Sequence, residues 1–376
     1  MKREEILSTW GKRCDRIRFM IDPIVELESG VYSDARELPD GSLPDDVVIV
    51  SDMKRPWHNC TGQAECRMIW EKVWRSFCWI NTHEPHTADW YIKVDSDTFL
   101  FPDNIREYIQ QHNRSSEDHH YFGHRDYHRP QWNFISGAAV AYSSKTFHEL
   151  AQIMQNMPPA SNLKKGGFWC GDSAGSHEEP LTAICLKKHL GVEPEHIRDS
   201  DGRERVMLFE LIYHLTVSRG DWWYWKGKPD NAGELEGCCS YQPFAFHGKD
   251  FKEVGGFYKL ETFLYSPPGD HRQGTPPRFH FHYKVKNYLR KVKEQLPSSA
   301  SSPRSNSTTN PPNASLASET MLWVKDEYLQ HLKSLGPIPR LVHVFFPDKG
   351  FVGHMELSMV RNGIGNLILQ NPKWQV

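Results

Sequence analysis

The chain has 376 residues, of which 38% are hydrophobic, so a sizeable core and two or three domains of ordinary size are within its reach. Its formal net charge of −2 excludes a general electrostatic attraction to nucleic acid or to anionic membrane surfaces. No apolar stretch approaches the ~20 residues of a membrane-spanning helix, and no signal peptide is visible.

Strand and helix signals alternate over most of the chain, a pattern typical of an α/β fold. Period-two or continuous apolar runs predict strands, in chain order, at 15–21, 45–52, 90–94, 121–125 and 134–142. Apolar residues at helical spacing predict helices at 63–80, from Pro102, after Ser143 or Ser144, and from about Glu178 to Leu190 with a stop at Gly191. We therefore expect a mostly parallel central sheet flanked by helices.

The chain changes character towards its C-terminus. Residues 283–296 carry apolar side chains on one helical face and lysines on the other, so this helix either packs on the sheet or contacts an acidic partner or a membrane. Residues 291–320 are rich in Ser, Pro and Asn, which predicts a flexible linker. A strand is predicted within 338–350, but 321–376 are too few residues for an ordinary domain. The chain thus divides into a globular domain at 1–290, the linker, and an incomplete segment at 321–376.

Cysteines and glycosylation sequons indicate an oxidising compartment. The eight cysteines contain no Cys-x-x-Cys pair, which argues against a structural zinc site and permits disulfides whose pairing stays open. Asn-x-Ser/Thr sequons begin at Asn59, Asn113, Asn306 and Asn313. Together these features favour the secretory pathway, and we expect that an N-terminal anchor or leader is missing from this chain.

Two carboxylates directly follow the third predicted strand. Asp95 and Asp97 end the stretch "DWYIKVDSD", at the carboxyl end of a strand, where open α/β sheets bind ligands. Burying two acids one residue apart is costly unless a cation sits on them, although a surface turn explains the same pattern. Oxygen ligands with one imidazole suit Mn²⁺ better than Ca²⁺, and His247 in "FAFHGKDF" is a candidate that also fits a structural histidine. In a nucleotide-sugar transferase, such a cation neutralises the diphosphate as the sugar leaves.

A transfer reaction of this kind also needs a base and an acceptor surface. Glu178 and Glu179 begin a predicted helix, where carboxylates are also common because they interact favourably with the helix dipole. The run "DWWYWKG" places Trp223, Tyr224 and Trp225 together in a Gly- and Pro-rich region. These rings provide either a platform for a saccharide or core packing.

Five segments together resemble a known enzyme family. In chain order they are "TWGKRCDRIRFMI", "DWYIKVDSDTFLFPDNIREYI", "YFGHR…FISGAAVAYSSKTF", "HEEPLTAICLKKHLGV" and "WWYWKGKPD…GCCSYQPFAFHG". Their order and spacing resemble the core 1 β1,3-galactosyltransferases, the T-synthase branch of the β1,3-glycosyltransferase family, over about residues 8 to 265. The resemblance implies a GT-A fold, a UDP-sugar donor, Mn²⁺, inversion at the anomeric carbon, and a type II anchor in the Golgi membrane with a lumenal catalytic domain.

Matching positions imply roles for individual residues. Asp95, Asp97 and His247 match the metal site, with Asp97 as a direct ligand and Asp95 near the ribose or the metal. Glu179 falls where the family has Asp as the catalytic base, and Glu178 matches the Glu before it.

Further residues complete the implied site or depart from the family pattern. Lys93 and Trp10 join Asp95 as candidates for contact with the donor, and Trp223, Tyr224 and Trp225 fall on the acceptor side. Ser96 replaces the middle Asp of the family's acidic run, which leaves both outer ligands intact. Glu179 is one methylene longer than the family's Asp, a change that can reduce activity or alter the preferred acceptor.

The leading hypothesis is an inverting, Mn²⁺-dependent transfer of galactose from UDP-galactose to O3 of GalNAc on Ser or Thr of glycoproteins. The alternatives are a non-catalytic chaperone-like or glycan-binding relative, and a β1,3-transferase that uses another UDP-sugar. Homodimerisation is compatible with each hypothesis, and we expect no nucleic-acid partner. The tail segment "IPRLVHVFFPDKG" resembles the opening of the Och1-like mannosyltransferases but lacks their Asp-x-Asp, so we assign it no activity.

Overall fold

The computed structural model describes residues 2–21, 43–50, 69–129, 132–156, 170, 178–209, 211–216, 235–248, 255–265, 277–294, 341–347, 359–361 and 367–369. The start predicted for the helix at 63–80, most of the predicted linker and the aromatic run "WWYW" lie outside these residues.

The described residues form helices and strands in alternation. The helices are α1 (Lys2–Ser8), α2 (Ile69–His83), α3 (Pro102–Gln111), α4 (Ser144–Asn156), α5 (Glu178–Leu190), α6 (Leu211–Thr216), α7 (Leu235–Cys238), α8 (Gly256–Tyr265) and α9 (Pro277–Glu294), with a 3₁₀ turn at Trp10–Arg13. The strands are β1 (Ile17–Ile21), β2 (Val47–Ile49), β3 (Trp90–Val94), β4 (Thr98–Leu100), β5 (Tyr121–Arg129), β6 (Trp132–Ser143), β7 (Val206–Met207), β8 (Ala245–His247), β9 (Leu341–Pro347), β10 (Met359–Arg361) and β11 (Leu367–Leu369).

A six-stranded sheet forms the centre of the fold, in the order β2-β1-β9-β3-β6-β5. Strands β2, β1, β9 and β3 run parallel, β6 runs antiparallel to β3, and β5 runs antiparallel to β6. Of the strands that the structure describes in this sheet, five therefore share one direction and β6 opposes them. The predicted α/β fold with a mostly parallel central sheet is confirmed.

Alternate residues of the strands pack into two cores on opposite faces of the sheet. Phe19 and Ile92 belong to one core, together with residues of α1, α3, α8 and α9. Met20 and Tyr91 belong to the other core, together with residues of α2, α4 and α5. Helices thus flank the sheet on both faces, as predicted.

Several helix ends follow the predicted sequence signals. Pro102 is the first residue of α3, where its missing N–H costs nothing. Ser143 Oγ accepts the N–H of Thr146 at 3.3 Å and so caps α4. Gly191 follows α5 with φ of +68°, a conformation that glycine adopts without strain.

The amphipathic helix α9 packs on the fold, which is the first of the two alternatives for its apolar face. Val285 and Leu289 are fully buried, and Val292 is 8% exposed. All three belong to the core on the α3 side of the sheet.

Strand β9 lies inside the central sheet, although it follows the predicted linker in sequence. It pairs in parallel with β1 on one side and with β3 on the other, so that Val344 lies opposite both Ile17 and Ile92. The sequence predicted a strand here but not its neighbours. The division of the chain at 291–320 stays a prediction.

The pairing of four cysteines is now defined. Disulfides join Cys170 to Cys185 of α5 and Cys238 to Cys239. Cys14 is a free thiol. Among the described residues, none of the helices combines the length and apolar content needed to cross a bilayer.

A second, three-stranded sheet positions the candidate site. Its order is β4-β8-β7, with β8 antiparallel to β4 and parallel to β7. Thr98 of β4 pairs with His247 of β8, which brings the carboxyl end of β8 beside the turn that follows β3.

Candidate functional site

The turn between β3 and β4 holds the two predicted aspartates. The backbone N–H of Asp95 donates to the Ala138 carbonyl of β6 at 3.1 Å, and the N–H of Thr98 donates to the Asp95 carbonyl at 3.0 Å. These bonds close a tight turn whose two carboxylates lie on one side. Asp95 is 3% exposed, and Asp97 is half-buried.

His247 reaches this turn from the second sheet. Its Nε2 atom lies 3.0 Å from Asp97 Oδ1 and 3.8 Å from Asp95 Oδ2. Its Nδ1 atom hydrogen-bonds to the carbonyl oxygen of Leu208, which follows β7. Because a carbonyl cannot donate, Nδ1 carries the proton, and in the neutral ring the lone pair of Nε2 faces the two carboxylates.

The three side chains fit a divalent cation. One ligand atom from each of Asp95, Asp97 and His247 lies within 4.8 Å of the others. Two carboxylate oxygens and an imidazole nitrogen suit a divalent transition-metal ion, and the ion would offset the cost of holding two anionic groups in a partly buried turn. The sequence predicted these three residues, and the structure brings them together.

A buried lysine connects the aspartate turn to the start of α5. Lys93 of β3 is 1% exposed, and its ammonium group forms an ion pair with Glu178 and lies 3.7 Å from Asp95 Oδ1. Burial lowers the pKa of Lys93, but the carboxylates of Glu178 and Asp95 outweigh it, so the pKa lies above its ordinary value. Burial raises the pKa of the Glu178 carboxyl, and Lys93 opposes that rise. Lys93 therefore offsets negative charge at the site.

A bulge in β6 shapes the floor of the site. Gly123 and His124 are adjacent on β5 but pair with Val140 and Ser136 of β6. Residues 137–139, which lie between these two positions of β6, therefore have no pairing partner on β5. Ala138 accordingly has φ of +70°. The sequence predicted an uninterrupted strand here, and the glycine within "FISGAAVAY" was the available signal for a bulge.

The bulge leaves a space between two carboxylates. A Cβ placed on Gly137 would lie 3.0 Å from Glu179 Oε1 and 3.3 Å from Asp95 Oδ2. Glu179 is half-buried and faces this space, whereas Glu178 is 3% exposed and held by Lys93. The two glutamates at the start of α5 therefore have different environments.

The other predicted contact residues have different positions. Trp10 is fully buried in the hydrophobic core, so its ring has no face towards a solvent-accessible site, and we do not retain it as a donor contact. Lys93 lies at the site, where its ammonium group contacts the carboxylates of Asp95 and Glu178. The predicted acceptor residues Trp223, Tyr224 and Trp225 lie outside the described part of the chain.

Comparison with known proteins finds a distant relative. No family model matches the chain. It is similar to glycoprotein-N-acetylgalactosamine 3-beta-galactosyltransferase 1 of Xenopus laevis, with 25% identity over 210 residues, which cover 54% of this chain and 53% of that protein. The chain thus spans about half the length of the curated relative it matches. The similarity supports a distant relationship to that family, and the mixed α/β architecture is consistent with a GT-A fold.

Proposed function

We propose that this chain is an inverting, Mn²⁺-dependent glycosyltransferase that moves galactose from UDP-galactose to O3 of GalNAc on Ser or Thr of glycoproteins. One observation carries the proposal: His247 Nε2 lies 3.0 Å from Asp97 Oδ1 and 3.8 Å from Asp95 Oδ2, although the histidine is distant from both in sequence. The relationship to a galactosyltransferase named for glycoprotein GalNAc supports the choice of sugar and acceptor.

Asp95, Asp97 and His247 are the residues that would hold Mn²⁺. Bound there, the ion would neutralise the charge that develops on the diphosphate of the donor. The carbonyl of Leu208 keeps the His247 ring in one tautomer and orientation. Lys93, 3.7 Å from Asp95 Oδ1, offsets part of the negative charge of that carboxylate.

Glu179 is the better candidate for the base that accepts the proton of the acceptor hydroxyl. Its Oε1 atom and Asp95 Oδ2 both lie close to Gly137, so the candidate base is near a candidate metal ligand. The carboxylate of Glu178, by contrast, is buried and forms an ion pair with Lys93. Glu178 then acts by holding Lys93 in place.

The remaining parts of the proposal concern partners and location. Trp223, Tyr224 and Trp225 would bind the glycopeptide acceptor through their aromatic faces. The disulfides support folding in an oxidising compartment, for which we propose the Golgi lumen.

Donor-sugar transfer to a GalNAc-peptide tests the proposal, with release of UDP as the measured signal. We expect UDP-galactose to be used in preference to UDP-GlcNAc and UDP-glucose, and EDTA to abolish transfer until Mn²⁺ is added. Asp97→Ala should lower transfer at least about 100-fold, because even outer-shell partners of metal ligands account for 10–100-fold. The exposed Asp45→Ala is the matched control and should match the parent.

Two results would contradict the proposal. Transfer undiminished by chelation would remove the metal role of the Asp95–Asp97–His247 group. An absence of UDP binding in the presence of Mn²⁺ would instead favour a non-catalytic glycan-binding or chaperone-like relative.

A further inference from the structure

A cleft lies away from the candidate metal centre. Its volume is about 540 Å³, within the range of small-molecule sites, and its walls come from the loop 198–205, the segment 240–242, the end of α3 and His282 of α9. The segment 240–242 precedes β8, whereas His247 ends it, and β7 runs parallel to β8. The cleft and the metal centre therefore lie at opposite ends of the small sheet.

Three arginines line this cleft, and two of them have carboxylate partners. Arg198 Nη2 lies 2.7 Å from Glu204 Oε1. Arg203 Nε lies 2.8 Å from Asp199 Oδ2. Among the described residues, no carboxylate lies within ion-pair distance of the third, Arg205. The fold thus supplies a counter-charge to two of the three arginines.

Arg205 is buried and incompletely hydrogen-bonded. It is 7% exposed, and its Nη1 atom donates to the backbone carbonyl of Gln242 at 3.2 Å and to Gln242 Oε1 at 3.3 Å. Its Nε–H is fully buried and has no hydrogen-bond partner in the described part of the chain. Burial lowers the pKa of Arg205, but a guanidinium stays charged at neutral pH. The charges of Asp199 and Glu107 favour the charged form of Arg205, but neither forms an ion pair with it in the described part of the chain, so an anion bound beside the guanidinium would further offset the cost of burying its charge.

Aromatic rings hold this guanidinium in a fixed position. The central carbon of Arg205 lies 5.5 Å from the ring centroid of Tyr108 and 5.6 Å from that of Phe244. At the side of the cleft, Arg203 stacks on Tyr241 at 4.7 Å. A guanidinium fixed in this way loses little freedom when it binds a planar or tetrahedral oxyanion.

We propose that this cleft binds a small ligand with an oxyanion group, a carboxylate, sulfate or phosphate, and that Arg205 is its counter-charge. The charge-assisted hydrogen bonds that a guanidinium makes to such a group would offset the cost of burying its positive charge. The site is separate from the proposed transfer reaction and does not depend on it.

Binding of sulfate to the whole chain, measured by isothermal titration calorimetry and by thermal unfolding, tests the proposal. We expect sodium sulfate to bind saturably and to raise the Tm of the parent more than that of Gln242→Glu, since sulfate also stabilises folded proteins without binding a site. Asp97→Ala, at the other end of the small sheet, should bind sulfate like the parent.

Gln242→Glu is the sharpest variant because it changes shape very little. It places a carboxylate where Gln242 Oε1 now accepts from Arg205, so the protein itself supplies the missing counter-charge. We expect sulfate affinity to fall at least about tenfold while Tm in the absence of sulfate rises. Gln152→Glu, an exposed change of the same charge on α4, is the control and should alter neither.

Two further probes distinguish the sources of the oxyanion. Tighter binding of glucuronate than of sulfate, with no binding of glucose, would assign the cleft to an acidic sugar. Tighter binding of sulfate or phosphate would assign it to an ester or inorganic anion. The proposal is overturned if sulfate does not bind saturably, if Gln242→Glu binds sulfate like the parent, or if Asp97→Ala abolishes binding.

Discussion

Lys93 lies on a strand whose residues are all buried, and its ammonium group contacts the carboxylates of Glu178 and Asp95. A buried ammonium group is stable only with such partners, so the lysine and the two acids depend on each other. This dependence separates the neighbouring glutamates: Glu178 is committed to an ion pair, and Glu179 faces the space above Gly137.

The different environments of the two glutamates lead to a prediction about Glu179→Gln. We expect the variant to lose transfer by about 10²–10⁴-fold, the usual contribution of a general base, while Mn²⁺-dependent UDP binding stays unchanged. Kinetics with UDP-galactose and a GalNAc-peptide measure the loss of transfer, and isothermal titration of UDP in the presence of Mn²⁺ measures donor binding separately.

Glu193→Gln is a suitable control, because this exposed residue lies just beyond the opposite end of α5. If Glu179→Gln turned over like the parent, the base would be another carboxylate, and Glu178 would be tested next.

At the scale of elements, a network of ion pairs joins the segment after α5 to the loop before β5. Glu195 accepts from Arg114 and from His120 Nδ1, and it forms an isolated bridge with Phe122 of β5. Burial raises the pKa of Glu195, but the hydrogen bonds from His120 and Arg114 outweigh it, and the pKa lies below its ordinary value. The ionised carboxylate is thus the form that holds these elements together.

The depressed pKa of Glu195 predicts how stability depends on pH. A carboxyl that ionises more readily in the folded state stabilises the fold above its unfolded pKa of about 4.3, and this contribution is lost as pH falls through the lower folded pKa. Glu195→Gln should therefore destabilise the protein at pH 7 by about 1 kcal/mol, with a smaller difference below pH 4.

Denaturant unfolding of the parent and of Glu195→Gln between pH 3 and pH 8 measures this difference. Glu117→Gln, an exposed change in the loop that precedes β5, should show no such pH-dependent difference. A difference that stayed constant across the pH range would mean that the ion pairs of Glu195 do not carry the effect.

At the scale of the whole molecule, the central sheet is completed by a strand from the far end of the chain. β9 lies between β1 and β3, so the order of strands in the sheet differs from their order in the sequence. Without β9, the facing edges of β1 and β3 would lack hydrogen-bond partners, which is unfavourable within a sheet covered by helices on both faces.

A proline in β9 tests this arrangement. Val344→Pro removes an N–H from a strand paired on both sides, and we expect it to lower the free energy of unfolding by at least about 2 kcal/mol. Val360→Pro lies in the separate pair β10–β11 and should affect the stability of the central sheet little. Thermal unfolding of both variants compares their losses of stability, and equal losses would mean that β9 is not part of the core fold.

Local sequence patterns predicted the type and order of most described elements and the chemistry available at one strand end. The alternation in β3, the signals at Pro102 and Gly191, and the acids Asp95 and Asp97 are local patterns, and each was interpreted from neighbouring residues alone. His247 was a candidate ligand from its position after an apolar run, and the resemblance to a known family then matched it to the metal site.

Which distant residues lie next to each other became clear only from the tertiary structure. The register of β4 with β8 sets His247 beside Asp97, the bulge at 137–139 opens the space between Glu179 and Asp95, and β9 enters the central sheet. The cleft around Arg205 likewise arises from segments that no local pattern connects. Hydrophobic periodicity reports which face of an element is buried, whereas strand order, register and bulges depend on packing among elements far apart in the chain.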